Sequence, residues 1–365
     1  MKEILPIESK IPFSCDKEVS HVFSVLCVHK ESINFKKWFI RNFSDLWFIE
    51  HNENATMGFD KPKDNKINCF RPEGYKHDYF DKPYPDVYLT DCELFVRKQW
   101  DRDTLEKKYE TIIDLIKERI QLGWYMYFEI DNFYVPCAVY HHQLHYNSGV
   151  LIYGFDDETE EIYVADYYGP FDRNVSYKHC KIKYGDFIKA YSSYECSKNL
   201  SFEPLLTFKY KDTNIEVIEG ELKYALKRYL NGMNDQYNKI SFGIKCYDSV
   251  IKELDNRYIE LQLINYLYGH AKALELKYNY LRELDLFNDE IKESELFNEL
   301  NKYALIVKNT ILKYVVSQDK DIKDKVLNLI LQLKEKDSQC IEFLIDNFST
   351  AENVYRWNRG LKKIE

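Results

Sequence analysis

The sequence predicts an α+β fold, with a helix and an antiparallel sheet in residues 1–215 and an all-helical domain over 216–365. Three observations predict it: a helix-period apolar stripe near the N-terminus, a crowd of short apolar runs separated by turn chemistry between 124 and 210, and helical spacing almost everywhere after 216. At 365 residues the chain has ample length for one large domain or two smaller ones.

The elements follow in order. Val19, Val22, Phe23, Leu26 and Cys27 fall at i, i+3, i+4, i+7 and i+8, which is an amphipathic helix. Ser14 and Asp16 are cap-type residues, so that helix is expected to begin within a residue or two of Cys15. An aromatic-rich stretch (38–49) precedes a polar, proline-containing one (52–85) that reads as loop with short strands. Residues 103–122 read as one helix, with Asp103 and Glu106 as its capping box and Gly123 after its end. Residues 124–130 read as a strand, with a turn at Asp131-Asn132. Residues 149–155 and 162–166 read as a strand pair joined by the polar run 156–161. Strand-like pieces at 181–184 and 205–210 flank a helical segment, and helices fill the remainder, the longest over 257–284. Its stripe of Leu261, Ile264, Leu267, Ala271, Leu274 and Tyr278 is expected to pack between helices, with His270 and Lys272 in its middle.

Composition narrows the function. A net charge of −9 argues against a nucleic-acid binder. No apolar window suits a membrane span, and Glu3, Glu8 and Lys10 interrupt the start before a secretory core develops, so a cytoplasmic protein is expected. The nine cysteines stand at least twelve residues apart, so no C-x-x-C metal hook exists, and they are expected to be reduced thiols. Phosphate-loop, dinucleotide, serine-hydrolase and zincin motifs are all missing from the sequence.

What remains is a cysteine, a histidine and an acid in a suggestive order. Backbone N–H groups at the start of a helix stabilise a thiolate, which favours Cys15 as nucleophile. His145 precedes one strand and Asp166 ends its partner, so the carboxylate can orient the imidazole that takes the thiol proton. His141 and His142 are rival bases. Cys27 is the rival nucleophile, although its place on the apolar stripe favours packing.

The run YHHQLHYNSGVLIYGFDDETEEIYVADY (140–167) resembles the histidine-strand-acid element of papain-like, C39 peptidase-like thiol folds. It is most similar to the N-terminal domain of the butirosin biosynthesis H family, acyltransferases that move an acyl group from a carrier-protein thioester to an amine. SCDKEVSHVFSVL, FKKWFIRNF, EIDNFYVP and SFGIKCYDSVIKELDNRYIELQLINYLYGHAKAL carry the resemblance across most of residues 14–285. It extends to cysteine-peptidase homologues that form amide bonds in the thiotemplated assembly of the polythioamide closthioamide. The resemblance implies a papain-like catalytic domain with Cys15 as nucleophile, His145 as base and Asp166 as acid. One departure stands out: Ser148 occupies the place where the group's commoner pattern has a second histidine immediately before the strand. Asn147 is either an oxyanion donor or a turn residue, and no glutamine precedes Cys15, which leaves the oxyanion to backbone N–H groups.

The expected activity is amide-forming acyl transfer in nonribosomal peptide or polythioamide assembly. Its partners would be an acyl or peptidyl carrier protein and an amine acceptor, a diamine among the choices. No intrinsic cofactor or metal is expected; the phosphopantetheine arm belongs to the carrier-bound substrate. Lys36, Lys37 and Arg41, or Lys223, Lys227 and Arg228, are candidate basic patches for an acidic carrier. The alternatives are a cysteine peptidase or amidohydrolase, and a catalytically degenerate protein that binds a carrier or a small molecule.

Overall fold

Local sequence chemistry sets the first elements of a computed structural model that describes residues 1–12, 17–43, 46–50, 55–59, 92–100, 102–168, 177–193, 205–235, 240–256, 261–287 and 294–348. The chain divides into two compact units, Met1–Lys30 with Tyr88–Thr213, and Glu31–Val87 with Asn214–Glu365. The second crossing falls beside the expected boundary at 215. The first does not: residues 31–87 group with the C-terminal half, because their strands pair there.

The first unit opens with β1 (Lys2–Ile4) and α1 (Lys17–Leu26), which tightens into a 3-10 turn at Cys27–His29. The apolar stripe of α1 is buried as its spacing predicts, with Val22, Phe23 and Leu26 all inaccessible. Residues 31–59 supply α2 (Ile33–Arg41), β2 (Leu46–Glu50) and β3 (Ala55–Phe59) to the second unit. The first unit resumes with β4 (Phe95–Trp100), α3 (Arg102–Lys108), α4 (Ile112–Gln121), β5 (Tyr125–Asp131), β6 (Asn147–Asp156), β7 (Glu161–Tyr167), β8 (Tyr177–Lys183), α5 (Tyr184–Ser192) and β9 (Leu205–Tyr210).

The single helix expected over 103–122 is two. Thr111 is extended (φ −136°, ψ 159°) and caps α4: its Oγ1 accepts the Asp114 N–H, and the Asp114 carboxylate accepts the Thr111 N–H at 2.9 Å. This capping box outcompetes helix continuation, as short polar side chains near a β-branched residue commonly do.

The strands of the first unit form one antiparallel sheet in the order β4-β9-β5-β6-β7-β8, and β1 pairs with the far end of β6. β5 covers Asn147–Ile152 of one β6 edge, and β1 covers Gly154–Asp156 of the same edge. β7 takes the other edge, with an irregularity between Ile152 and Gly154. Met126, Phe128, Ile130, Val150, Ile152, Ile162, Val164 and Ile182 join Ile113, Ile116 and Ile120 of α4 and Phe187, Ala190 and Tyr191 of α5 in one core. Burying each large apolar side chain contributes about 1.5–3 kcal/mol.

Cys137, in the turn before β6, is disulfide-bonded to Cys180 of β8, with their Cα atoms 6.2 Å apart. This corrects the expectation that all thiols are reduced. Spacing along the chain hid the pair, because the residues are 43 apart and meet only when the sheet forms. Cys27, Cys92, Cys246 and Cys340 are buried.

The second unit adds α6 (Glu219–Asn231), β10 (Met233–Asp235), β11 (Ile240–Phe242), α7 (Lys245–Asn256), α8 (Leu261–Glu283), α9 (Ser294–Ser317) and α10 (Lys320–Asn347). It is not all-helical. A four-stranded antiparallel sheet in the order β10-β11-β2-β3 brings residues 46–59 to residues 233–242. Strands of three residues such as β10 and β11 carry too little alternation to be read from sequence. Leu267, Ala271, Leu274 and Tyr278 of α8 are buried as expected. His270 is buried as well: its Nε2 lies 3.2 Å from Asp337 Oδ1, and its ring stacks on Tyr229. Lys272 pairs with Glu275 at 2.9 Å. Lys277 is fully buried and donates to the carbonyls of Ile40 and Asn42, placing a cation at the C-terminal end of α2. Among the described residues no helix is long and apolar enough to cross a membrane.

Gly149 of β6 is a close-approach position, since a Cβ there would collide with the Tyr127 phenol across the ladder. Gly149→Ala is expected to lower unfolding free energy by about 1–3 kcal/mol in urea titrations. Truncating Tyr127 to Ala in the same chain should make the added methyl nearly neutral.

Candidate active site

The site residues gather at the paired ends of β5, β6 and β7. Asp131 ends β5 opposite Asn147, which opens β6, and Ser148 stands opposite Ile130. Asp166 lies next to the end of β7. Asn147 is therefore a strand residue and not part of a turn.

His145 is tethered to Asp131. Its Nδ1 lies 2.6 Å from Asp131 Oδ2, and its ring stacks on Phe133 at 4.0 Å with 10° between planes. Asp131 is fully buried and its other oxygen accepts the Phe133 N–H at 3.0 Å, so the carboxylate is held by the backbone as well as by the imidazole. With Nδ1–H donating to the carboxylate, Nε2 is the ring atom left to accept a proton. The His145 side chain is about half exposed, at 48%.

Asp166 holds a different pair of partners. It is inaccessible to solvent, and its Oδ2 accepts the Ser148 hydroxyl at 2.8 Å and the Lys17 ammonium at 3.0 Å. Lys17 also donates to Ser148 Oγ. Burial raises the Asp166 carboxyl above the usual range, and the Lys17 charge and Ser148 hydrogen bond oppose that rise. The expected His145–Asp166 pairing is thus replaced by His145–Asp131 and Lys17–Ser148–Asp166. The reason is register: Ser148, on the strand itself, reaches Asp166, whereas His145 lies before the strand begins and falls beside Asp131. The Tyr146 phenol is pushed up to about 12 by burial and then by the charges of Asp166, Tyr140 and Asp131.

The other candidates fall as follows. Cys15 lies outside the described residues, two positions before Lys17 at the start of α1. Cys27 is 6% exposed, and burial, followed by the charge of Glu8, pushes its thiol up to about 12. His142 is exposed, in a left-handed backbone conformation (φ 57°), with its ring edge-on to Phe133. His141 is held below the ordinary imidazole value by partial burial and by the neighbouring His142 charge. Lys36 and Lys223 of the basic patches are ion-paired, to Glu283 at 2.8 Å and Glu219 at 3.0 Å respectively.

Sequence reading missed Lys17 and Asp131. Asp131 had a signal: a carboxylate directly after a buried apolar strand demands a partner, and Asp131 was instead assigned to a turn. Lys17 had a weaker one: a lysine in the first turn of a helix opposes the macrodipole, which calls for a compensating carboxylate. The chain matches no protein-family model and no curated protein.

His21 lies one turn beyond Lys17, fully buried, with Nδ1 2.8 Å from the Tyr177 hydroxyl. Burial first, then the Lys17 charge, hold its imidazole well below its ordinary value. The unfolded chain takes up a proton near pH 6.5 that the folded chain refuses, so this contribution to stability is present above that pH and lost below it. Urea midpoints of the wild type are expected to fall more steeply from pH 7 to 5 than those of His21→Gln. Equal slopes would show that His21 protonates freely in the fold. Cys27 should resist iodoacetamide at pH 8 until the chain is unfolded, which peptide mapping reads directly.

Proposed function

We propose that the chain is a papain-like, C39 peptidase-like acyltransferase that forms amide bonds through Cys15, using an acyl or peptidyl carrier thioester and an amine. The observation that carries this reading is the His145–Asp131 pair, held 2.6 Å apart with the imidazole stacked on Phe133, in the sheet unit that also contains the start of α1. A carboxylate fixed on imidazole Nδ1 is the arrangement a thiol nucleophile needs in its base. Relative to the sequence expectation, the orienting acid moves from Asp166 to Asp131. Asp166 becomes the anchor of Lys17, and so of the helix start that Cys15 precedes.

The steps follow. His145 Nε2 takes the Cys15 thiol proton, and the thiolate attacks the thioester carbonyl of the carrier-bound acyl group. The carbon–sulfur bond to the phosphopantetheine arm breaks, and the imidazolium returns its proton to that leaving sulfur. An amine then attacks the Cys15 thioester and gives its proton to His145, which passes it to the departing Cys15 sulfur. Thioester exchange is nearly balanced and aminolysis runs downhill, so these residues need no further energy source. Backbone N–H groups at the start of α1 would receive the oxyanion.

A second reading, a carrier- or ligand-binding protein without turnover, is favoured by Ser148 and Lys17 already occupying Asp166. Intact-protein mass spectrometry with a panel of acyl-carrier thioesters separates the two. The acyl adduct is expected in the wild type and in Cys27→Ala, and not in Cys15→Ala. Acylation should slow by about 10²–10⁴-fold in His145→Ala. Adding amines then distinguishes an amide product from hydrolysis. No adduct with any carrier on folded protein would favour the binding reading.

A further inference from the structure

The Cys137–Cys180 bond is placed where it bears on the His145–Asp131 pair. Cys137 is exposed in the turn between Asp131 and β6. Cys180 is 3% exposed in the core, opposite Val164 of β7 and two positions from the residue that pairs with Asp166. The covalent ring between them contains His145, Ser148 and Asp166.

Among the described residues, segment 135–146 has few other attachments. Val135 and Ala138 are its buried apolar anchors, while Val139, Tyr140, Leu144 and His145 are exposed. Most of its backbone hydrogen bonds among the described residues run within the segment. Among the described residues, the exceptions reach to the neighbouring turn, from Val135 N–H to Asn132, from His142 N–H to Phe133, and from Asn132 N–H to Tyr146. Such a segment opens at low free-energy cost unless it is tied.

We propose that the Cys137–Cys180 disulfide is a redox-sensitive clamp, opened by a dithiol reductant, that holds segment 135–146 so that His145 stays on Asp131. Its consequence for catalysis rests on His145 being the base of the acyl transfer; the clamp itself does not. Exchange begins at the exposed end. A reductant thiolate attacks the Cys137 sulfur, the sulfur–sulfur bond breaks, and Cys180 leaves as a thiolate that takes up a proton. The second reductant thiolate then attacks the mixed disulfide, releasing Cys137 as a thiol and closing the reductant into its own disulfide. Two electrons and two protons pass from the dithiol to the protein.

The test compares one wild-type preparation, oxidised and after dithiothreitol, so that no variant has to fold. Non-reducing peptide mapping should find the 137–180 linked peptide before reduction only. Hydrogen exchange in 135–146 should then quicken by about tenfold or more, with α4 unchanged, and reoxidation should reverse it. Acylation by a carrier thioester should slow by a similar factor. Cys137→Ser should behave as the reduced wild type, and Cys27→Ser as the oxidised. A linked peptide whose reduction leaves exchange in 135–146 unchanged overturns the clamp, as does finding no linked peptide in the oxidised protein. Faster exchange with no acylation in either state supports the clamp and overturns the acyl-transfer reading instead.

Discussion

Strand β6 is hydrogen-bonded along both edges, to β5 and β1 on one side and to β7 on the other, and that double pairing fixes the strand-borne polar groups of the sheet unit's candidate site. Its register puts Ser148 within reach of Asp166 and leaves His145, three residues earlier, beside Asp131. A slip of one residue would turn Val150 and Ile152 out of the core and carry Ser148 away from the acid. The apolar core therefore enforces the polar geometry. The energy that holds the register comes from side chains that take no part in the chemistry.

The fold buries carboxylates, which is expensive unless each is given partners. Asp131 has a backbone N–H and an imidazole; Asp166 has a hydroxyl and an ammonium. In the second unit Asp337 lies among Tyr229, Tyr247 and His270, and Lys277 meets two carbonyls at a helix end. The two kinds of cluster differ in access. Those around Asp337 and Lys277 are closed on all sides and act as packing specificity. The one at Asp131 ends in a half-exposed imidazole, and a reactant can reach it.

Much of the sheet was legible because its strands are two-sided. In 124–130, 149–155 and 162–166 apolar residues alternate or run continuously between turn signals; the last two pair as expected, while the pairing of the first with β6 is seen only in the structure. The stripe of α1 was equally clear. The break at Thr111 was not, because the apolar period continues across it and only the cap chemistry interrupts the backbone. Residues 31–59 could not be assigned to the second unit, since what puts them there is pairing with β11, nearly two hundred residues away.

The sequence by itself determined the α+β class, the stripe of α1, the pairing of 149–155 with 162–166 and the residue types from which a thiol chemistry would be built. Periodicity, turn residues and helix position are local properties, and local properties can be read in one dimension. Which acid serves which base was decided only by the tertiary structure, as were the Cys137–Cys180 bond and the approach of Lys17 to Asp166. Each joins residues brought together by strand register or by the packing of a helix against the sheet. Hydrogen bonds and disulfides select partners to within a fraction of an ångström, and no spacing along the chain encodes a distance across it.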